Sequence, residues 1–416
     1  MRILYLHQHF STPAGATGTR SFALARALAA RGHAVTLACG QYAGAVTGLA
    51  GGFRRGRREG AVGPFRVVEY AIPCGNAQGL PARAAAFLRY AARATALALA
   101  ETWDVVVASS TPLTVALPAL AARRLRGTPF VFEIRDPWPE LPRAMGVGSP
   151  PLWAGLGALA GAACRGASAV IALSEGMART AVAHGAAPGA VSVLPNGCDL
   201  DLFGPHVPPW RPAGLPAGTV LAVYAGAHGV ANGLGQVLGA AALLQAEGAP
   251  VTLLLVGEGA EKPVLQARAA ALGLRNLRFL DPLPKPRLAG LLAGSDIGLQ
   301  CLAPVPEFAE LTAPNKLMDY LASGLPVVAN LGGATARLLA GDGEGPCGIA
   351  TPPGDAVALA GALAALAADP ARRVAMRAAA RGLAERRWDR RLLAGRFCEV
   401  VEAAATAPAL RAVAVA

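Results

Sequence analysis

The chain has 416 residues, 54% of them hydrophobic but only 15% charged and 5% aromatic, a composition that excludes disorder and calls for two or more packed cores. Its net charge of +12 rests on 35 arginines and three lysines (Lys262, Lys285 and Lys316) set against 26 acidic residues. The seven cysteines form no C-x-x-C pair and no Cys/His grouping at zinc spacing, so neither a disulfide framework nor a metal site is expected, and reduced thiols in a cytoplasmic protein fit best. No secretory leader is expected at Met1, because residues 1–7 run straight into a strand-like segment. No apolar stretch reaches the ~18 to 20 residues that span a bilayer.

In chain order, a short apolar strand at 3–6 is followed by a Gly-containing loop at 11–18, helical periodicity over 19–30 and a second strand at 34–39. The alternation continues with strand 104–108, helix 114–126, strand 129–134, a helix near 152–165, strand 169–173, helix 175–184 and strand 191–194. Uniformly apolar strands separated by helices predict a parallel sheet covered on both faces. Periodicity then stops through 203–218, where Pro205, Pro208, Pro209, Pro212 and Pro216 follow Pro195, the best interdomain linker in the chain. Beyond it, strands at 220–225, 251–256, 277–280, 297–302 and 326–329 alternate with helices at 235–246, 261–272, 287–293 and 316–322. Two doubly wound halves follow, and because open parallel sheets bind ligands at the carboxyl ends of their strands, a cleft between the halves is expected.

Three loops could carry chemistry. The first, with Gly15, Gly18, Thr19 and Arg20, follows the first strand and opens a helix, so its amides could hold an anion; it lacks the G-x-G-x-x-G spacing of a dinucleotide site, and a plain strand-to-helix turn is the alternative. The second runs from Phe132 to Glu140 and sets Glu133, Arg135, Asp136, Trp138 and Glu140 just past a strand end; an Arg135/Asp136 ion pair in a rigid turn is the plainer reading. The third begins at Pro314 and Asn315, a helix start whose free N–H groups suit a diphosphate, with Lys316 in its first turn and Asp319 a turn further on. A carboxylate there can accept hydrogen bonds from two ribose hydroxyls, while the helix dipole adds roughly 0.3 to 1 kcal/mol toward the anion. A weaker signal lies at Gly226-Ala227-His228-Gly229, after the first strand of the second half.

Taken together, these segments resemble the family 4 glycosyltransferases of the GT-B fold, and most closely the subgroup that transfers N-acetylated aminosugars in bacterial surface-polysaccharide assembly. The resemblance rests on residues 4–10, Gly18-Thr19-Arg20, 132–140, 172–177, Pro195-Asn196-Gly197 with Asp199 and Phe203, 256–259 and 314–328, in that order. It implies an α/β chain with an acceptor-side Rossmann-like domain at 1–200, a linker at 201–218, a nucleotide-sugar domain at 219–385, and a C-terminal helix and tail at 386–416 that cross back to the first domain. It implies a retaining transfer from a UDP-sugar to a lipid-linked or glycan acceptor in capsule or lipopolysaccharide assembly, with no cofactor and no metal. Asp319 would take the ribose hydroxyls, Asn315 and Lys316 the diphosphate, and His228, Gly229 and Gly257 would line the donor site. The acceptor side would be formed by the loop of Gly15, Gly18, Thr19 and Arg20, and Asp136, Arg135 and Glu140 would stand at the reacting sugar.

Three departures qualify that transfer of roles. The family's Glu, seven residues, Glu pattern becomes Leu311 and Asp319, with Glu307 and Glu310 nearby but out of register. The Arg and Lys that many relatives place after the first strand of the second domain are missing, which shifts phosphate neutralisation to Lys316 and Lys262. The usual histidine at the end of the first-domain strand is replaced by Arg135-Asp136.

Of the rival readings, a UDP-sugar epimerase of the same fold shares the donor features, an oxidoreductase lacks its glycine fingerprint, and a basic nucleic-acid-binding protein rests on net charge alone. That charge is uneven: residues 1–208 carry +9, 209–370 carry −3 and 371–416 carry +6. The positive segments, with Arg54, Arg55, Arg57, Arg58 and a helix bearing Arg83, Arg89 and Arg93, are expected to meet anionic lipid on the inner face of the cytoplasmic membrane; a solvated arginine face is the alternative.

Overall fold

The computed structural model describes residues 1–75, 78–341 and 345–406, so the tail expected beyond 406 lies outside the described residues. The chain divides into two compact units: one of residues 1–12, 19–195 and 391–416, the other of residues 13–18 and 196–390.

The first unit holds β1 (Arg2–Leu6), β2 (Ala34–Tyr42), β3 (Arg57–Val62), β4 (Phe65–Cys74), β5 (Val105–Ser109), β6 (Phe130–Ile134), β7 (Ala169–Ala172) and β8 (Val191–Val193), in the spatial order β3-β4-β2-β1-β5-β6-β7-β8. Every pairing is parallel except that of β3 with β4. Strands β5 and β6 are buried along their whole length, as strands covered by helices on both faces must be. The hairpin of β3 and β4 departs from the expected alternation. It turns at Gly63, whose φ is +60°, and its first strand is half-exposed and carries Arg57, Arg58 and Glu59.

The helix Arg390–Thr406 belongs, from Arg391 onward, to this first unit, as the resemblance implied. Phe397 stacks on Tyr5 of β1 with ring centroids 6.1 Å apart, and Phe397, Cys398 and Val401 join the core around Ile3, Leu24 and Leu37. Glu402 fastens its far end, accepting from Arg31 and from His33 Nε2, both at 2.8 Å.

In the second unit, β9 (Val220–Ala225), β10 (Val251–Val256), β11 (Leu277–Leu280), β12 (Ile297–Gln300), β13 (Val327–Ala329) and β14 (Gly348–Ala350) form an all-parallel sheet in the order β11-β10-β9-β12-β13-β14. The Ala- and Leu-rich helices Gly235–Ala246 and Ala356–Ala368 cover one face, and Asn315–Ala322 and Pro370–Arg387 cover the other. Both units are therefore Rossmann-like parallel sheets wrapped in helices, the architecture of the GT-B fold. Among the described residues, no helix is long and apolar enough to cross a membrane.

Candidate functional site

In the second unit the sequence-predicted residues gather at the carboxyl ends of β9 and β10. The segment after β9 doubles back against the one after β10: His228 N–H donates to Glu258 O at 2.8 Å, and Glu261 N–H donates to His228 O at 2.9 Å. The approach is so close that a Cβ on Gly257, whose φ is +146°, would stand 1.9 Å from Gly226 O. Gly257 therefore permits the packing of two loops, a role distinct from the ligand contact expected of it. Gly229 stands open, with only the Asn232 side chain at 4.0 Å from where its Cβ would be. His228 is fully buried against Tyr224 and Phe279, and neither ring nitrogen has a hydrogen-bond partner. Burial, reinforced by the positive charge of Lys262, holds the imidazole neutral by lowering its pKa to about 4.

The three lysines differ in their partners. Lys262 is buried with Nζ 2.6 Å from Glu258 and 2.8 Å from Asp281, so its charge is matched locally. Lys285 pairs at 2.5 Å with Asp319, which is itself buried. The other carboxylate oxygen of Asp319 has no partner among the described residues. Lys316 alone has no carboxylate: it lies over the Tyr224 ring at 4.7 Å and reaches the Asn232 amide oxygen at 3.3 Å. A Cβ at Gly226 would sit 2.6 Å from Lys316 Cε, so the glycine makes room for the lysine stem. Burial without a counter-charge lowers the Lys316 pKa to about 8. The helix it opens, Asn315–Ala322, is preceded by Pro314 and has no side-chain cap, leaving the first-turn N–H groups of Asn315 and Lys316 available.

The first unit gathers polar groups at the ends of β1, β5 and β6. His7, after β1, is buried; its Nδ1 donates to Ser109 O at 3.2 Å, which leaves Nε2 to accept from Arg135 Nη1 at 2.8 Å. Burial, then the adjacent guanidinium, hold His7 well below its ordinary pKa, and His9 is lowered to about 3 for the same reasons. Asp136 is exposed, with Oδ2 accepting from Thr111 Oγ1 at 2.5 Å. No Arg135/Asp136 ion pair forms. Glu140 opens the short helix Glu140–Ala144 and is tied to His184 Nε2 at 2.7 Å.

Arg20 is held on every side. Its Nε donates to Glu133 Oε1 at 2.9 Å, and its two terminal nitrogens donate to Pro195 O at 2.6 Å and Leu194 O at 3.0 Å. Ser109 Oγ satisfies the other oxygen of Glu133 at 2.5 Å. Thr19 precedes the helix Arg20–Ala30 without capping it through its side chain, and Gly15 and Gly18 lie in the turn before it.

Sequence reasoning assigned no role to His7, His9 or Lys285. The scarcity of lysine was a signal for the last of these, and the quoted motif of residues 4–10 contained the other two. Among the described residues no group of three or more His, Cys, Asp or Glu side chains stands close enough to hold a metal ion.

Residues 15–197 match the glycosyl transferase 4-like domain, and residues 219–369 match the glycosyl transferases group 1 family. No curated protein matches the chain in sequence. Among solved structures, sucrose-phosphate synthase from Thermosynechococcus elongatus is similar at 18% identity, covering 96% of this chain and 98% of its own, with a TM-score of 0.73. HepE from Anabaena, solved in complex with UDP-glucose, is similar at 20% identity, covering 97% and 100%, with a TM-score of 0.64. WaaG, a glycosyltransferase involved in lipopolysaccharide biosynthesis, is similar at 17% identity, covering 96% and 99%, with a TM-score of 0.68. At these identities the solved structures speak to the fold, and the two family matches, which between them take in most of both units, speak to the activity: the chain belongs to the family 4 glycosyltransferases of the GT-B fold.

Proposed function

We propose that this enzyme carries out a retaining transfer of a hexosyl group, an N-acetylated aminosugar, from a UDP-linked donor to a lipid-linked or glycan acceptor in cell-surface polysaccharide assembly. In this reading the donor is held by residues 219–385 and the acceptor is met by residues 1–200, with 201–218 as the linker and 386–416 as the returning helix and tail. The observation that carries it is Lys316, a half-buried ammonium with no carboxylate partner in the first turn of an uncapped helix. A diphosphate supplies the missing counter-charge. Two unit charges 4 Å apart are worth about 4 kcal/mol at an effective dielectric of 20, against roughly 0.3 to 1 kcal/mol from a helix dipole. Lys316 thus outweighs the helix start in holding the phosphates.

Asp319 keeps one carboxylate oxygen for ribose hydroxyls while Lys285 holds the other. The bound UDP-glucose of the Anabaena structure supports a uridine donor, and the lipopolysaccharide role of WaaG supports a surface-polysaccharide product. In the first unit Asp136 and Arg135 are the contacts to sugar hydroxyls, with Glu140 behind them. Arg20, already saturated, acts by holding that edge in place. Retention needs no protein base where the departing phosphate oxygen takes the proton of the acceptor hydroxyl, so catalysis here is positioning and charge stabilisation.

Peripheral attachment to the inner face of the cytoplasmic membrane draws support from Arg54, Arg55, Arg89 and Arg93, all exposed. Leu80 and Leu88, on the helix Leu80–Ala100 that also carries Arg89 and Arg93, are each 58% exposed.

The test is calorimetric titration with UDP, GDP and ADP, followed by a panel of UDP-sugars. Lys316→Ala and Asp319→Ala are each expected to weaken UDP binding by tenfold or more, the scale of a charged hydrogen bond worth about 1.5–3 kcal/mol. Unchanged affinity and turnover in both variants would overturn the donor assignment.

A further inference from the structure

We propose that the cavity at the carboxyl ends of β2 and β4 seats the acceptor, and that Glu69 receives a hydroxyl of its neutral glycan part. The inference rests on the acceptor role proposed for the first unit. The cavity measures about 770 Å³, within the ~300–1,000 Å³ typical of small-ligand sites. Tyr42, Leu49 and Cys74 line its apolar side, and Thr47, Arg58 and Glu69 its polar side.

The cavity has a local cause in the strand pairing. Cys39 of β2 lies opposite Glu69 of β4, but the next partners are Gln41 and Pro73, so Gly40 alone faces Tyr70, Ala71 and Ile72. Such a bulge bends the longer strand out of the ladder. The chain beyond β2 is then secured elsewhere: Thr12 N–H donates to Val46 O at 2.9 Å, and Val46 N–H donates to Ser11 Oγ at 3.1 Å. Space is left between that loop and the end of β4.

Glu69 is the informative side chain. It continues the face of Phe65 and Val67, where the period of two calls for a hydrophobic residue. It is 3% exposed. Its Oε2 accepts from Thr47 Oγ1 at 2.6 Å and from Arg58 Nε at 2.8 Å. Its Oε1 has no partner among the described residues. A carboxylate oxygen that opens only onto the cavity is best met there by a hydrogen-bond donor, since a carboxylate accepts and cannot donate.

Arg58 already balances the charge, which favours a neutral O–H over a cation. The open carboxylate oxygen can only accept, as the oxygens of an ionised phosphate do, so the diphosphate of a lipid-linked acceptor lies elsewhere. A sugar ring satisfies both walls, with a hydroxyl toward Glu69 and its apolar face or aglycone against Tyr42 and Leu49.

The cavity also adjoins the polar cluster described above. Tyr42 stacks on His9 with centroids 4.1 Å apart. Arg135, the partner of His7, is close enough to His9 to depress its pKa. One ring therefore separates the cavity wall from the strand ends where sugar hydroxyls are proposed to meet Asp136.

The experiment uses the full chain and n-octyl β-D-glucoside, β-D-galactoside and α-D-mannoside below their micelle concentrations, with binding followed by ligand-observed NMR. At least one glycoside is expected to bind saturably, and Ala45→Trp, which fills the cavity from its wall, is expected to weaken it tenfold or more. Glu69→Gln is expected to do the same, and UDP affinity is expected to stay at the parental value in both variants. The proposal is overturned if no glycoside binds, if Ala45→Trp binds like the parent, or if n-octyl phosphate competes as well as the glycosides. Failure of the parent to bind UDP would instead sink the donor reading and leave the glycoside result as the judge of this one.

Discussion

Each unit withdraws a basic side chain from water beside the carboxyl ends of its strands, Arg20 almost completely and Lys316 in part, and the two are met in opposite ways. Arg20 of the first unit is 5% exposed and surrounded by Glu133 and two backbone carbonyls, so charge and hydrogen bonds are both complete. Lys316 of the second lies against a tyrosine face with one amide oxygen in reach and no anion. A buried cation whose needs are met within the fold is part of the frame, whereas one left without a counter-charge costs stability until something binds. The contrast separates two basic residues that look equally eligible for a ligand when each is seen only as a residue at a helix start.

Arg20→Ala attacks the completed half of that contrast and should have the largest effect. It strands the buried carboxylate of Glu133, and breaking such a pair costs roughly 3–5 kcal/mol. Urea denaturation is expected to show that loss, while UDP affinity per folded molecule stays near the parental value. A loss below about 1 kcal/mol would mean that Glu133 finds another partner and that Arg20 does not define the frame.

The open half is tested by pH. The pKa of Lys316 is lowered to about 8, so the side chain is charged below that value and neutral above it. UDP affinity should therefore be full at pH 7 and fall several-fold as pH rises through 8 toward 9.5. A bound diphosphate favours the ammonium and moves the fall to higher pH in the complex. Lys316→Arg, charged throughout, should flatten the profile; an unflattened one would locate the titration in another group.

The smallest effect expected concerns exposed arginines, where neither burial nor pairing operates. Arg57 is engaged by Glu59 at 2.7 Å and Arg58 by Glu69 at 2.8 Å, so only Arg54 and Arg55 of that run can be reversed without disturbing the fold. Arg54→Glu with Arg55→Glu should weaken co-sedimentation with anionic liposomes by an amount on the order of 1 kcal/mol per residue. Equal co-sedimentation of variant and parent would remove this run from any membrane contact.

The parallel sheets were legible because a strand buried on both faces must be apolar throughout: Val220–Ala225 and Val251–Val256 stand where the apolar runs predict. The hairpin Arg57–Val62 and Phe65–Cys74 was not: its first strand lies at the sheet edge, half-open to water, and carries Arg and Glu, while the second is interrupted by Arg66 and the buried Glu69. Gly348–Ala350 was too short to signal itself. Within the candidate site, the helix start at Asn315 could be read from Pro314, since capping is local. That Asp319 would meet Lys285, thirty-four residues away, or that Gly226 would clear a path for Lys316, depends on tertiary packing that no spacing encodes.

The helix Arg390–Thr406 also bears on the order in which the protein is made. The chain leaves the first unit at Pro195 and supplies its last core residues, Phe397, Cys398 and Val401, only after the whole of the second unit has been synthesised. Emerging from the ribosome, the unit begun first is thus the last that can be finished, and its β1 face around Tyr5 must wait without its cover while the other unit, contiguous from Asn196 to Arg390 apart from one short loop, is free to fold.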